Sequence, residues 1–254
     1  MLTPLVVRGI GGIPLIFMQS ERHYRDEIVR YGHMLHDQFF VAATDGNLSV
    51  RLDDGSILCT PTCLSKGMMT PDDLVIVNSQ GEMLRGHRPP SSEIAMHVLI
   101  YRMRPDVNAV VHAHPPTATG FAAAGVPLTQ PLVSEIVIAL GEVPLAPYAT
   151  PGSPELSESL RPLVHNHDAI LMANHGVVTY SSDLNSAYMK METVEHFARV
   201  VLVTHQLGCQ QLLSESEVRK LNELGRRYLE NGAAKRPVSA AAAGPIPAVG
   251  NEPR

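Results

Sequence analysis

Tryptophan is absent from this chain of 254 residues, and only five phenylalanines and seven tyrosines are present. Basic clusters are scarce as well: the formal net charge is −5, and no basic run is longer than Arg226-Arg227. So few aromatic rings argue against a stacking platform for single-stranded nucleic acid. The charge balance argues against a phosphate backbone as a partner. We therefore expect no nucleic-acid partner.

Cysteine is rare, since Cys59, Cys63 and Cys209 are its only representatives. Scattered thiols in so small a number do not build a disulfide framework, and Cys59 and Cys63 lack a second pair with zinc-ligand spacing. No apolar run reaches the length that spans a bilayer, and the apolar segment 2–17 lacks the basic start of a signal peptide. These absences predict a cytoplasmic protein without a membrane partner.

The chain divides into three parts by composition. Residues 1–20 form an N-terminal extension, and residues 21–231 carry the apolar patterns of one folded domain. Residues 232–254 are rich in Ala, Pro and Gly. Because this last segment has almost nothing to bury, we predict that it is a disordered tail.

Strand and helix patterns are mixed within the domain. A helix is predicted from Ser91 to Arg104, with Ser91 as its cap and Glu93 in its first turn. Other helices are predicted over 21–39, 155–163, 184–206 and 215–229, and one beginning near residue 116. Strands are predicted over 48–52, 57–60, 74–77, 107–113 and 169–172, and near residue 145. This mixture indicates an α/β or α+β protein with a mixed sheet.

Two histidines, His112 and His114, end the apolar run V-N-A-V-V-H-A-H-P-P. Residues two apart on a strand point to the same side, so both imidazoles would project together and could chelate a divalent transition metal. The pair alone is a weak signal, because H-N-H at 165–167 repeats it in a polar stretch. Glu93 upstream and His175, which follows the apolar strand 169–172, strengthen it. The alternative is that each histidine caps a strand or binds a backbone carbonyl.

Short polar residues near these ligands predict an anion site. Ser91 and Ser92 would place hydroxyls and free backbone N–H groups at a helix N-terminus, which suits a phosphate. Glu93 beside them could move a proton at a substrate carbon, or could merely complement the helix dipole. Asn47 and Thr62 would offer short donors from neighbouring turns, unless they are ordinary turn residues.

Six motifs in a fixed order carry a resemblance to a known family: G-N-L-S-V-R, T-P-T, P-S-S-E followed by M-H, V-V-H-A-H, A-P-Y-A-T-P-G and A-N-H-G. Together they resemble the class II aldolase/adducin family over residues 21–208. The resemblance implies a three-layer α/β/α fold around a central, mainly antiparallel mixed sheet. It also implies a cyclic homotetramer with active sites at subunit interfaces.

The resemblance assigns roles to individual residues. His112, His114 and His175 match the histidines that bind one divalent metal ion per subunit, with zinc expected first and manganese, iron or cobalt as alternatives. Glu93 matches the carboxylate that ligates the metal in the free enzyme and serves as acid/base once substrate displaces it. The residues that match the substrate's phosphate site are Gly46, Asn47, Thr62, Cys63, Ser91 and Ser92.

Two positions depart from the family's pattern. Cys63 stands where the phosphate turn usually has glycine, and a Cβ at positive φ would be strained there. Glu135 stands where the fuculose-phosphate-cleaving members carry a tyrosine that protonates the aldehyde oxygen. A glutamate there looks more like the members that dehydrate methylthioribulose 1-phosphate, which makes Glu135 a second catalytic candidate or else a surface residue. Tyr228 is a candidate to close the site.

The resulting prediction is a metal-dependent lyase that cleaves a small ketose 1-phosphate, such as L-fuculose 1-phosphate, into dihydroxyacetone phosphate and an aldehyde. Dehydration, decarboxylation or epimerisation at the same site is the alternative reading. A non-catalytic module like the adducin head domain is another, and it predicts degraded metal ligands. Class II aldolases lack a Schiff-base lysine, and the sequence indicates no lysine near the motif cluster in an apolar context.

Overall fold

The computed structural model describes residues 20–229, with side chains described as far as residue 225. The predicted tail, nearly all of the predicted N-terminal extension and the side chain of Tyr228 lie outside this range. Across the described range no helix is both apolar enough and long enough to traverse a bilayer.

Seven α-helices lie in the described part of the chain. They are α1 (Glu21–Asp37), α2 (Ile94–Met103), α3 (Pro116–Ala123), α4 (Ser134–Ala139), α5 (Pro154–Val164), α6 (Leu184–Gln206) and α7 (Glu215–Leu229). Short polar side chains begin two of them: Ser20 accepts from the backbone of His23 before α1, and Asp183 accepts from Ser186 before α6.

Eight strands of the described residues 20–229 form a single sheet. They are β1 (Asn47–Arg51), β2 (Ile57–Cys59), β3 (Val75–Val77), β4 (Met83–Arg85), β5 (Ala109–Ala113), β6 (Leu145–Ala146), β7 (Ala169–Met172) and β8 (Gly176–Ser181). The sheet order is β4-β3-β2-β1-β5-β8-β7-β6, and only β6 with β7 is a parallel pair. The prediction of a mainly antiparallel mixed sheet is confirmed.

Helices cover both faces of this sheet. Alternate residues of β5 separate the two cores: Val111 packs with α1, α3 and α6, whereas Val110 packs with α2 and α5. His112 alternates with Val111 and therefore faces the α2 side of the sheet. This arrangement is the predicted three-layer α/β/α fold, and it places His112 beneath the start of α2.

Four local differences separate the fold from the sequence prediction. Helix α2 begins at Ile94, so Glu93 is its N-cap residue and lies outside the first turn. Strands β4 and β8 and helix α4 were not predicted. The α4 segment has only six residues, too few for a helical periodicity to show. Strand β8 follows directly on the A-N-H-G motif, and its apolar residues pair on both sides with β5 and β7.

Candidate metal centre and active site

Sheet register brings the first site residues together. Asn47, the first residue of β1, lies directly opposite His112 of β5. His114 follows the end of β5, where its backbone N–H donates to the carbonyl of Phe40 at 2.8 Å. His175 lies in the turn between β7 and β8, and β8 is the other neighbour of β5. Histidines from separate parts of the sequence therefore meet at one end of three adjacent strands.

Glycine is required at two positions that pack against the end of β5, Gly176 and Gly46. A Cβ on Gly176 would lie 2.5 Å from Cδ2 of His114 and 2.7 Å from the carbonyl oxygen of Ala113. Gly46 has φ of +72°, and a Cβ there would lie 2.8 Å from the carbonyl oxygen of His112. Both contacts are too close for a side chain, so these glycines allow the close approach that assembles the site.

The three imidazoles and Glu93 converge on a common point. Ligand atoms of His112, His114 and His175 all lie within 4.8 Å of one another. Nε2 of His112 is 3.1 Å from Nε2 of His114 and 3.2 Å from Oε2 of Glu93. Oε1 of Glu93 lies 3.2 Å from Nε2 of His175. That oxygen is buried, yet it makes no hydrogen bond with any described group.

The donor set fits a divalent transition metal. Nδ1 of His112 lies 2.8 Å from the carbonyl oxygen of Val177, so it carries the proton and Nε2 keeps its lone pair. Nδ1 of His114 faces the carboxylate of Asp45 at 3.5 Å, an arrangement that orients metal-binding histidines. Converging lone pairs repel one another unless a cation is shared among them. Three imidazoles with a carboxylate suit zinc, manganese, iron or cobalt.

Electrostatics keep two of the histidines neutral. Burial, followed by repulsion from His112, lowers the pKa of His114 to about 3 and that of His175 to about 4. Burial also opposes charge on His112, but the adjacent Glu93 carboxylate outweighs it and raises the pKa of His112. For Glu93, burial favours the neutral acid, and the neighbouring His112 reverses this and lowers the pKa. The lone pairs of His114 and His175 and the carboxylate of Glu93 are therefore available to a metal at neutral pH.

A buried hydrogen-bond chain reaches Glu93 from the core. Nε2 of His97 is 2.5 Å from Oδ1 of Asn47, and Nδ2 of Asn47 donates to Oε2 of Glu93 at 2.9 Å. Behind His97, its Nδ1 lies 2.7 Å from Oγ of Ser49, which is also 2.7 Å from the Tyr101 hydroxyl. We call these residues (Tyr101, Ser49, His97, Asn47 and Glu93) the donor chain.

Every donor in this chain points toward Glu93. Oδ1 of Asn47 can only accept, so Nε2 of His97 carries the proton and Nδ1 is the acceptor. Ser49 must then donate to His97, and the Tyr101 hydroxyl donates to Ser49. Burial lowers the pKa of His97 to about 3, which keeps this ring neutral. One carboxylate oxygen of Glu93, Oε2, is anchored as an acceptor, and the other, Oε1, faces His175.

A pocket of about 300 Å³ opens beside these ligands. The residues lining it are Thr44, Asp45, Gly46, Asn47, Pro61, Thr62, Cys63, Ser91, Ser92, Glu93, His114, Pro151 and His175. All six residues that the resemblance assigned to a phosphate site are among them, although the Asn47 side chain is committed to Glu93 and His97. Cys63 has φ of +55°, the conformation in which a Cβ is strained.

Two sequence predictions fare differently. Glu135 is exposed in the first turn of α4 and does not line the pocket, so its catalytic assignment stays a prediction. The expectation that no lysine lies near the motifs in an apolar context is wrong. Lys66 is only 1% exposed, and its Nζ donates to the carbonyl oxygens of Thr44 and Leu64.

The sequence analysis also assigned no role to His97 and Ser49. His97 follows Glu93 by four residues, a spacing that places two side chains on one face of a helix. Ser49 follows Asn47 by two residues on β1, and therefore shares its face of the sheet. Both spacings are visible in the sequence and could have pointed to the donor chain.

Comparisons with known proteins agree with this fold. Residues 26–202 match the family model described as class II aldolase and adducin N-terminal domain. A 5-deoxy-D-ribulose 1-phosphate aldolase of Bacillus thuringiensis serovar kurstaki is 35% identical over 208 residues, covering 81% of this chain and 95% of that protein. A 3-oxo-tetronate 4-phosphate decarboxylase of Pectobacterium atrosepticum is 34% identical, covering 73% of this chain and 87% of the relative.

A solved structure extends the similarity to three dimensions. An L-fuculose 1-phosphate aldolase superposes with a TM-score of 0.74 at 30% sequence identity, covering 79% of this chain and 94% of the other. A mixed sheet between helical layers, with three histidines and a glutamate at one strand end, defines a class II aldolase-type lyase. The chain belongs to the class II aldolase and adducin family.

Proposed function

We propose that the protein is a metal-dependent aldolase that cleaves a small ketose 1-phosphate into dihydroxyacetone phosphate and an aldehyde. The observation that carries this proposal is the convergence of three imidazoles and Glu93 at a pocket that Thr62, Ser91 and Ser92 also line. A metal site next to an anion site suits a small phosphorylated substrate.

The metal would be held by His112, His114, His175 and Glu93, with zinc as the first candidate. When bound, such an ion supplies Lewis acidity toward the carbonyl and hydroxyl oxygens of the substrate. The remaining roles in the reaction belong to side chains of the protein itself.

Glu93 is the proposed proton carrier. Its Oε2 is anchored by Asn47 and lies beside His112, whereas its Oε1 faces His175 and makes no hydrogen bond with a described group, so Oε1 is the oxygen that would exchange a proton with the substrate. In the cleavage direction the electron pair of the broken C–C bond stays on the dihydroxyacetone phosphate carbon, and this carbon receives a proton from Glu93. That proton is the one that the Glu93 carboxylate first accepts from the hydroxyl group of the departing half as its aldehyde forms, so the carboxylate is regenerated at the end of the step.

The phosphate would be bound by other residues of the pocket lining. Thr62, Ser91 and Ser92 belong to that lining, and Ser91 and Ser92 lie just before Glu93, the N-cap residue of α2, where the helix dipole favours an anion. Binding a group remote from the broken bond fixes that bond against Glu93, which converts binding energy into orientation. Glu135 is retained as a second acid/base candidate, on the resemblance alone.

A decarboxylase is the second candidate, and the similarity to a 3-oxo-tetronate 4-phosphate decarboxylase favours it. The same site would serve both reactions. In a decarboxylation, the carbon that loses carbon dioxide must also receive a proton, and the substrate's phosphate must also be bound. A panel of substrates separates the two reactions. We would assay L-fuculose 1-phosphate, 5-deoxyribulose 1-phosphate, methylthioribulose 1-phosphate and 3-oxo-tetronate 4-phosphate for dihydroxyacetone phosphate, water loss and carbon dioxide.

The aldolase proposal expects dihydroxyacetone phosphate from at least one ketose 1-phosphate. Glu93→Gln should lose about two to four orders of magnitude in turnover, the span typical of a general base. Glu142→Gln is the matched control, since Glu142 does not line the pocket and should keep wild-type turnover. Carbon dioxide as the only product would reject the aldolase in favour of the decarboxylase.

We also propose that the protein is a cytoplasmic homotetramer with its active sites at subunit interfaces. Large apolar side chains on the surface support an association, among them Val203, Leu207 and Leu212 near the end of α6. The three cysteines are free, which suits a reducing compartment. Light scattering coupled to gel filtration tests the assembly, and a monomer would contradict it.

A further inference from the structure

Lys66 is an unusual buried cation close to the pocket. It is 1% exposed, lies in a short 3₁₀ turn over Lys66–Met68, and directs its ammonium group to two backbone carbonyls. The distances from Nζ are 2.9 Å to the oxygen of Thr44 and 2.7 Å to the oxygen of Leu64. A lysine this deep normally requires a compensating partner, because burial of a charge is costly.

No such carboxylate partner is present among the described side chains, where Lys66 forms no ion pair within 4.0 Å. The titratable groups that face it are Asp45, Cys63 and His114. Burial dominates over their influence and lowers the pKa of Lys66 to about 8. The ammonium form is thus retained at neutral pH without a close counter-ion.

The two carbonyls belong to the two turns that form one side of the pocket. Thr44 begins the turn that continues into Asp45 and Gly46, and Leu64 follows directly on Thr62 and Cys63. Hydrogen bonds from one ammonium group to both turns fix their separation. That separation sets the width of the region where a phosphate would be bound.

The pocket lining is acidic, so the positive charge of the Lys66 ammonium group matters for the binding of an anion. Asp45 and Glu93 line the pocket, whereas no lysine or arginine is among the described residues that do. A phosphorylated substrate adds further negative charge to this acidic lining. A cation buried behind the wall offsets that charge through a medium that screens it poorly.

We propose that Lys66 is the positioning residue of the phosphate site, holding both turns at the spacing of a phosphate and supplying the positive charge that the lining lacks. This inference rests on the proposed function, since it takes the pocket to accept a phosphorylated substrate. Lys66 acts through the turns and does not itself line the pocket.

The test is phosphate affinity in the full-length protein, measured by calorimetry with inorganic phosphate as the probe. Lys66→Met removes the charge at similar length, and we expect about tenfold weaker binding, as for loss of one charged contact. Lys66→Arg keeps the charge and should recover most of the affinity. Lys190→Met is the matched control: it removes a lysine with only 12% side-chain exposure that pairs with Asp168 at 2.8 Å and does not line the pocket.

Lys190→Met should lower the melting temperature and leave phosphate affinity at the wild-type value. If Lys66→Met does not fold, Lys66→Gln replaces it, because Gln is neutral but can still donate to one carbonyl. Equal phosphate affinity in the wild type and the folded neutral variant would overturn the proposal. Equal losses in the Lys66 and Lys190 variants would overturn it too, as would a wild type that binds no phosphate.

Turnover separates this inference from the proposed function. If ketose 1-phosphates are cleaved and the neutral variant shows no rise in KM, the inference fails while the aldolase proposal stands. If the neutral variant loses phosphate affinity but no ketose 1-phosphate of the panel is cleaved, the aldolase proposal fails while the role of Lys66 stands. A rise in KM that parallels the loss of phosphate affinity supports both.

Discussion

Substituting His97 tests whether the donor chain positions Glu93 or only fills the core. His97→Phe keeps a ring of similar size and removes both ring nitrogens. Oδ1 of Asn47 then loses the contact at 2.5 Å, and Oγ of Ser49 loses the contact at 2.7 Å. The Asn47 amide is no longer oriented, so its contact with Glu93 loses its preference for one oxygen.

The cost follows from burial. Asn47 is 4% exposed and Ser49 is 0% exposed, so neither group can replace its lost partner with water. Each buried polar group left unsatisfied lowers the free energy of unfolding by about 1–3 kcal/mol. Burial of the more apolar phenylalanine ring raises it by about 1 kcal/mol. We therefore expect the free energy of unfolding to fall by about 1–5 kcal/mol, which a protein of ordinary stability survives over most of this range.

Turnover should fall by about tenfold or more, because misplacing Glu93 costs at least about 1.4 kcal/mol of transition-state stabilisation. His97→Gln is the diagnostic companion, since its amide can still donate to Asn47 and should recover much of the turnover. His167→Phe serves as the matched control: it removes a contact of 3.0 Å to the carbonyl of Leu163 and does not line the pocket. Urea unfolding and kcat are measured for each variant. A destabilised His97→Phe protein with wild-type kcat would refute a positioning role.

Three further outcomes follow from the geometry. Dialysis against a chelator should abolish turnover and lower the melting temperature, and added zinc or manganese should restore both; full activity without metal would contradict the site. Cys63→Gly should raise the free energy of unfolding by about 0.5–1 kcal/mol in urea, because φ of +55° strains a residue with a Cβ. Lys66 has a pKa of about 8 in the fold against 10.5 as its reference value, so the unfolded chain binds the proton more tightly. Wild-type stability relative to Lys66→Met should therefore rise between these two pH values, by at most about 3 kcal/mol in urea titrations, and a flat difference would refute the shift.

The convergence of the candidate metal ligands was accessible from the sequence for a geometric reason. The period of two on β5 fixes the face that His112 occupies, and the apolar strand β7 predicts where His175 emerges. Neighbouring strands of one sheet end close together in space. Short motifs at those ends are therefore expected to meet, even where the paths of the connecting loops are unknown. Glu93 required only that a helix begin near residue 91, and an error of three residues in its start did not move it away.

The burial of Lys66 could not be predicted from the sequence in this way. It lies in a polar segment, S-K-G, where a lysine is expected to be exposed. Its burial depends on two turns folding over it, at residues 44 and 64, and neither turn has a periodicity that fixes its path. Glu135 shows the opposite case: the resemblance assigns it a role, but the described chain leaves it exposed on the short helix α4.

Asn47 shows why residue identity alone does not determine a role. The resemblance places it at the phosphate, and it does line the pocket, yet both polar atoms of its side chain are bound to Glu93 and His97. It directly follows Gly46, whose turn is held from behind by Lys66 at Thr44. A displacement of that turn would therefore be transmitted to Glu93 through the side-chain amide of Asn47. Asn47 therefore connects the turn proposed to help bind phosphate with the carboxylate proposed to transfer the proton, so its substitution should affect both substrate binding and turnover.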